Sequence, residues 1–220
     1  MDVEFNNLPE IKNEGLALDI DDTLSWTFGH WIGQMQKLFG NPENLSVEEI
    51  VLKYNRAQNV PYWQSEKAKA WRKNNIISNE LQMKLPLIPD SRIFIDKISN
   101  VIPLVAYITT RPESVINGTK TWLKNNDFPT LPIICRPDGI PYEKGSEWKA
   151  KILEGLEQQV KGIVDDNPNL LNFLPSDYKG IIFLYNKYSV NSNLNAIPCK
   201  DWETVYEEVK NAFNGFTSNS

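Results

Sequence analysis

Leu16-Ala17-Leu18-Asp19-Ile20-Asp21-Asp22-Thr23-Leu24 decides how this chain is read. An apolar run delivers Asp19 and Asp21, two positions apart, to the point where the run ends. Residues two apart on an extended strand lie on the same side, so both carboxylates are expected in one pocket past the strand's C-terminal edge. Such a pair is costly unless a cation neutralises it or one carboxyl keeps its proton, because like charges oppose each other's ionisation. Both remedies suit phosphoryl transfer. A hard dication such as magnesium takes oxygen ligands, a carboxylate can attack phosphorus as a nucleophile, and a second acid can carry the proton.

Three further segments bring compatible chemistry. Val105-Ala106-Tyr107-Ile108-Thr109-Thr110-Arg111-Pro112 is an apolar strand ending in hydroxyls, with a proline suited to a first helical position. A hydroxyl there and the neighbouring backbone N–H groups can hold phosphate oxygens, helped by a helix N-terminus. Gly162-Ile163-Val164-Asp165-Asp166-Asn167-Pro168 is a short strand that delivers two adjacent acids, then an N-cap residue and a proline. Between these two segments, Glu147-Trp148-Lys149-Ala150-Lys151-Ile152-Leu153 begins a helix. An ammonium at Lys149 would offset the charge of nucleophile and substrate and stabilise charge on phosphoryl oxygens; Lys144 and Lys151 compete for that role.

Apolar strand runs alternate with amphipathic helices. Strands are expected near 14–20, 103–109, 131–136, 161–165 and 180–185, and helices near 90–100, 112–126, 147–159 and 201–213. This is the pattern of an α/β protein with a parallel sheet. Ligands of such sheets bind outside the carboxyl ends of the strands, where Asp19, Thr109 and Asp165 each fall.

Between Thr23 and Thr109 stand 85 residues, whereas a strand-helix-strand unit needs roughly 30. An insertion is therefore expected over 25–88, with helices over 26–39, 46–57 and 62–75. It carries eight Lys and Arg against five Glu in a chain of net charge −5, so a basic lid would face an acidic core and attract an anionic substrate. It also holds four of the seven tryptophans. On the third helix Trp63, Lys67 and Trp71 are spaced i, i+4, i+8, one face of a helix. That face either builds the insertion's own core or stacks a base or sugar and holds a phosphate.

Composition bounds the remaining classes. With 220 residues, 41% hydrophobic and 23% charged, one globular domain plus an insertion is the natural count. No apolar stretch approaches membrane-spanning length, and residues 1–15 lack the basic start and apolar middle of a signal peptide, so a cytoplasmic protein is expected. Cys135 and Cys199 lack metal-ligand spacing and read as reduced core thiols. His30 is the sole histidine, which leaves no multi-histidine zinc site and no ready base for a Ser-His-Asp triad. The net negative charge disfavours a nucleic-acid partner.

Taken together, Asp19-x-Asp21-x-Thr23, Thr109, Lys149 and Asp165-Asp166 occur in one order over residues 14–186. The set resembles the motifs of the haloacid dehalogenase (HAD) superfamily, in its phosphatase branch. The resemblance implies a Rossmann-like parallel sheet flanked by helices, formed by residues 1–24 and 89–220, with a small α-helical cap over 25–88 that closes on the active site. It implies that Asp19 is the nucleophile and that Asp21 protonates the leaving oxygen, later activating water, while its backbone carbonyl binds Mg2+. Thr109 would hold the phosphate and Lys149 would pair with nucleophile and phosphate. Asp166 would ligate the metal directly and Asp165 orient its water, or the reverse. Thr110, Arg111, Trp63 and Lys67 are the expected substrate-binding residues.

Leu85-Pro86-Leu87-Ile88-Pro89, the Thr109-to-Pro112 segment and Thr121-Trp122-Leu123 are similar, more weakly, to the 5'(3')-deoxyribonucleotidase group; residues 137–149 do not follow it. The expected activity is magnesium-dependent hydrolysis of a small phosphate monoester, nucleotides among them, through an aspartyl-phosphate. Two alternatives keep the scaffold: a phosphotransferase or phosphomutase using the same intermediate, and a noncatalytic binding protein. Against the latter, every position the chemistry needs is filled. A dehalogenase is disfavoured, because the family's dehalogenases lack the second acid that Asp21 supplies and need no magnesium.

Overall fold

A computed structural model describes residues 8–54 and 57–216 of the chain. Six strands form one sheet: β1 (Gly15–Leu18), β2 (Leu104–Pro112), β3 (Ile133–Arg136), β4 (Val160–Asp165), β5 (Ile181–Tyr185) and β6 (Ala196–Cys199). All pairings are parallel, in the order β3-β2-β1-β4-β5-β6. From β1 the chain builds outward through β2 to β3, then crosses back to start β4 on the other flank of β1. The carboxyl end of β1 is thus where strand order reverses, the place where open parallel sheets form their ligand crevice.

Among the described residues eight α-helices accompany the sheet: α1 (Thr27–Phe39), α2 (Val47–Tyr54), α3 (Glu66–Ile76), α4 (Asn79–Gln82), α5 (Ser91–Ser99), α6 (Ile116–Asn125), α7 (Gly145–Gly155) and α8 (Trp202–Ala212). Side chains that alternate along each strand feed two cores. Leu16, Leu18, Tyr107, Val164 and Phe183 face Ile95 and Ile98 of α5, Trp122 of α6 and Val205 of α8. Ala17, Ala106, Ile108, Ile163 and Ile182 face Trp148, Ile152 and Leu153 of α7. Strands covered on both faces need near-continuous apolar sequence, which is what β1, β2, β4 and β5 have. Each fully buried aliphatic side chain contributes about 1.5–3 kcal/mol.

The long β1–β2 connection has a third, separate core, in which Ile32, Met35, Ile50, Val60, Trp63 and Ala68 are buried. Its ends are tied in a two-stranded neck: Trp26 N donates to Pro86 O at 2.8 Å and Ile88 N to Leu24 O at 2.8 Å. Beyond α3 the chain belongs to the sheet side. Leu85 and Ile88 join the core under α6, and the Trp122 indole donates to Leu85 O. Gly118 of α6 lets α4 approach so closely that a Cβ there would lie 2.4 Å from Asn79 O.

Three local expectations differ from what is observed. The third helix does not start at Tyr62: Pro61–Trp63 is a 3-10 turn, and Ser65 caps α3 by accepting from Ala68 N. Trp63 therefore lies outside the helix and shares no helical face with Lys67 and Trp71. β6 was not expected, because Pro198 interrupts its apolar run; it is an edge strand, where a missing N–H is tolerated. The short α4 also has no counterpart in the predicted elements. Residues 55 and 56 of the predicted 46–57 helix, residues 1–7 and the tail beyond Phe216 lie outside the described residues. Among the described residues, no helix is long and apolar enough to cross a membrane.

Candidate active site

β1 ends at Leu18, and Asp19 follows it with its backbone N–H still paired to Val164 O of β4 at 2.9 Å. The neighbouring strand ends in Asp165. Because α7 is the crossover from β3 to β4, its first turns pass over the ends of β2 and β1. Gly145 packs so close to Thr110 that an added Cβ would stand 3.1 Å from the Thr110 methyl. One turn on, Lys149 is 3% exposed. Its Nζ donates to Asp19 Oδ1 and to Asp165 Oδ2, both at 2.7 Å. Lys144 and Lys151 instead pair with Glu147 at the surface, so of the three lysines Lys149 is the one placed against Asp19. The other oxygen of Asp165 accepts from Asn167 N at 2.8 Å, and the Asn167 amide reaches Ser146 of α7.

Asp19, Asp165 and Asp166 form the cluster that can hold a metal ion, with one carboxylate oxygen from each lying within 4.8 Å of the others. Burial pushes the Asp19 carboxyl well above its ordinary value; Lys149 pulls the other way, and Asp165, Asp166 and Asp21 add to the rise. Burial likewise raises Asp166, reinforced by Asp22 and Asp165. An all-oxygen, anion-rich set whose members resist joint ionisation fits a hard dication. Asp165, wholly buried and engaged by both Lys149 and Asn167, is the more constrained of the two adjacent acids; Asp166 is half-buried.

Asp21 is held apart from that cluster. Its Oδ1 accepts Arg111 Nη2 at 2.8 Å and Nε at 3.0 Å, its Oδ2 accepts Nε at 3.1 Å, and Thr27 donates to Oδ1 at 2.6 Å. Arg111 also donates to Ser25, whose hydroxyl lies 2.7 Å from that of Thr27. Burial alone would raise Asp21, but the Arg111 charge and the hydrogen bonds from Arg111 and Thr27 override it and hold the carboxyl below its usual range. Asp22, to which no role was assigned from sequence, takes the left-handed conformation at φ 54°, a region that aspartate tolerates. This turns its carboxylate back to accept Phe28 N at 3.0 Å. Burial lifts it to about 7, against the Phe28 hydrogen bond and with help from Asp21 and Asp19.

These groups floor a cavity of about 770 Å³, within the size range of small-molecule sites. Trp26, Phe28 and Trp31 line it, as do Lys69, Arg72 and Lys73 of α3.

No family model matches the sequence, and no curated protein matches it. Solved structures do. One titled as a dehalogenase with intermediate complex superposes at TM-score 0.55 and 10% identity, covering 91% of this chain and 98% of the other. A second dehalogenase structure gives 0.52 and 11%, covering 89% and 96%. A HAD family hydrolase from Deinococcus radiodurans R1, with bound phosphate and sodium, aligns at 0.49 and 11%, covering 91% and 89%. This chain has the fold of the two dehalogenase structures. At such identities the likeness extends to the fold alone.

On that fold, the sequence-predicted residues separate into two groups. Asp19, Lys149, Asp165 and Asp166 converge, with Asp21, Thr110 and Arg111 also lining the cavity. Four expectations are corrected. Thr109 is wholly buried and its hydroxyl accepts Arg111 N; successive strand residues point to opposite sides, so Thr110 is the hydroxyl that lines the cavity. Arg111 is only 3% exposed and is committed to Asp21, Ser25 and Thr119, so it serves Asp21 before any substrate. Trp63 is fully buried in the insertion's core, its indole donating to Gly40 O. Lys67 is exposed and lies outside the cavity, because at about 100° per residue it sits roughly 160° around α3 from Lys69. His30 is a partly buried residue of α1, and both cysteines are buried free thiols.

Proposed function

We propose that the protein is a magnesium-dependent phosphohydrolase acting on a small phosphorylated metabolite through an aspartyl-phosphate at Asp19. The observation that carries this reading is the Lys149 ammonium bridging Asp19 and Asp165 beside Asp166, at the point where strand order reverses. Mg2+ held by Asp19, Asp166 and Asp165, with the backbone carbonyl of Asp21, would neutralise the cluster and orient phosphoryl oxygens.

In this reading an Asp19 carboxylate oxygen attacks phosphorus and the ester P–O bond breaks. Lys149 keeps Asp19 aimed and offsets charge on the phosphoryl oxygens, and Thr110 with the adjoining backbone N–H groups binds those oxygens. In the second half-reaction water attacks phosphorus, the Asp19–phosphorus bond breaks, and Asp21 takes the proton from water. Held ionised by Arg111, Asp21 is suited to this base role. Protonating an alkoxide leaving group requires it first to take up a proton against the pull of Arg111. Of the insertion expected over 25–88, the part up to α3 acts as the cap, with its own core, over a core of residues 1–24 and 89–220 to which Leu85 and Ile88 are packed. The protein works in the cytoplasm. Transfer to an acceptor hydroxyl is the second reading, favoured by a cavity of about 770 Å³ with room for an acceptor beside the phosphate ester.

The test is release of inorganic phosphate from an aryl phosphate with magnesium, in chelator, and by Asp19→Asn. The expected result is activity only in the first case, with Asp21→Asn slower by roughly 100-fold. Full turnover in chelator or in Asp19→Asn contradicts the assignment. Appearance of a phosphorylated acceptor in place of phosphate favours transfer.

A further inference from the structure

We infer that the substrate carries a second anionic group, a phosphate or carboxylate, held by Arg72 and Lys73 of α3 with Lys69, at the end of its body away from the scissile phosphate. This deepens the phosphohydrolase reading and rests on it. Lys69, Arg72, Lys73 and Ile76 recur at i, i+3, i+4 and i+7 and all line the cavity, so one α3 face is turned to it. The helix has a different face for the insertion's core, with Ala68 and Asn75 buried, and a third for solvent, where Lys67 lies. The cationic face is thus distinct from the solvated one.

Asp19, Asp21, Asp22, Glu143, Asp165 and Asp166, together with Arg111, Lys149 and Lys187, line the cavity from the sheet side, while no acidic residue of the described insertion lines it. Lys69 pairs only with the largely exposed Glu66, a contact of little strength. Arg72 and Lys73 have no carboxylate partner among the described residues. Arg72 is half-buried and its Nη1 donates to Trp63 O at 2.9 Å, which fixes the guanidinium and leaves the rest of its donor fork for a ligand. A partly desolvated guanidinium with no anion is incomplete, and an anion entering this cavity completes it.

The space between floor and roof fits such a ligand. A cavity of about 770 Å³ far exceeds what a phosphoryl group occupies. Trp26, 39% exposed, lines the same cavity. Its ring lies on Gly29, where an added Cβ would stand 2.1 Å from the indole. The body of the substrate therefore meets an aromatic surface in the cavity that its charged groups occupy.

The experiment is competition against aryl phosphate turnover by a series of linear alkanediol bisphosphates of increasing length. The matching ω-phosphoalkanoates and alkyl monophosphates are run beside them, with parallel calorimetric titration of the magnesium-loaded protein. A bisphosphate or phosphocarboxylate of suitable length is expected to bind on the order of 10-fold more tightly than its monophosphate, the scale of one charge-assisted hydrogen-bonded pair. The better of the two arms identifies the anion. That ratio should fall toward one in Lys73→Gln and in Arg72→Gln. A merely structural role would weaken both ligands alike and leave the ratio intact, and Lys73, exposed and unpaired, tests this without disturbing the fold. No advantage at any length, with aryl phosphate still hydrolysed, overturns the second anion site alone. Absence of all turnover with the calorimetric advantage present instead overturns the hydrolase reading and keeps the site.

Discussion

Replacing Lys149 by methionine keeps the length of the side chain and removes its charge from between Asp19 and Asp165. Each N–O distance is 2.7 Å, for which the attraction at an effective dielectric constant of 20 is about 6 kcal/mol. The two attractions do not add to stability, because they offset the cost of burying the same ammonium and two carboxylates. Breaking such a buried pair from one side typically costs about 3–5 kcal/mol, and that is the loss expected for Lys149→Met in chelator at pH 8. The loss should shrink as pH falls. Without the ammonium, which pulls both groups down, the carboxyls of Asp19 and Asp166 are raised further above their unfolded values, so the folded variant binds more protons than the unfolded chain and gains stability on acidification. Magnesium should restore part of the loss and raise the variant's urea midpoint more than the parent's, since the cluster is more negative by one charge and binding to the folded state stabilises it. Urea unfolding followed by tryptophan fluorescence, with and without magnesium, reads all three effects. Equal stability of variant and parent in chelator, or a smaller magnesium effect in the variant, refutes the reasoning.

Arg111→Gln removes the fork that keeps Asp21 ionised, and burial then raises its carboxyl. The acid limb of the rate profile should move to higher pH, and an unmoved limb would show that Asp21 does not act as the base. Asp201 caps α8 by accepting from Thr204 N at 2.8 Å, so Asp201→Ala should cost about 1 kcal/mol at neutral pH. The Thr204 hydrogen bonds hold Asp201 below its ordinary value, so its contribution is present above the unfolded carboxylate value and lost as pH falls through the folded one. Urea midpoints of parent and variant should therefore converge in acid, and a gap that persists there would contradict the assignment.

The strands that position the site were legible in sequence because parallel strands buried on both faces read as continuous apolar runs. Asp19 and Asp165 were legible as the acids at the ends of two of them. β6 was not, since Pro198 argues against a strand except at an edge, and position in the sheet is not a local property. The Trp63, Lys67, Trp71 stripe failed through its helix start: Ser65 is the cap, and moving the first turn past Trp63 took that residue out of the helix. The same shift hid the face that does line the cavity, although Lys69, Arg72 and Lys73 have regular spacing. The Asp21–Arg111 pair spans 90 residues, and nothing local in either segment announces it. Asp22 was passed over because strand alternation gave it no pocket; its left-handed backbone, not a strand pleat, brings its carboxylate back toward the site.

The central claim is that phosphorus becomes bonded to Asp19, and the most direct test is to trap that bond. The protein is mixed with magnesium and an aryl phosphate, quenched in acid during turnover, reduced with borohydride and digested. Reduction converts an aspartyl-phosphate to homoserine. The account predicts homoserine at position 19 by mass spectrometry, dependent on both substrate and magnesium. Steady release of phosphate with Asp19 recovered unchanged, or homoserine at Asp21, Asp165 or Asp166 instead, would contradict it.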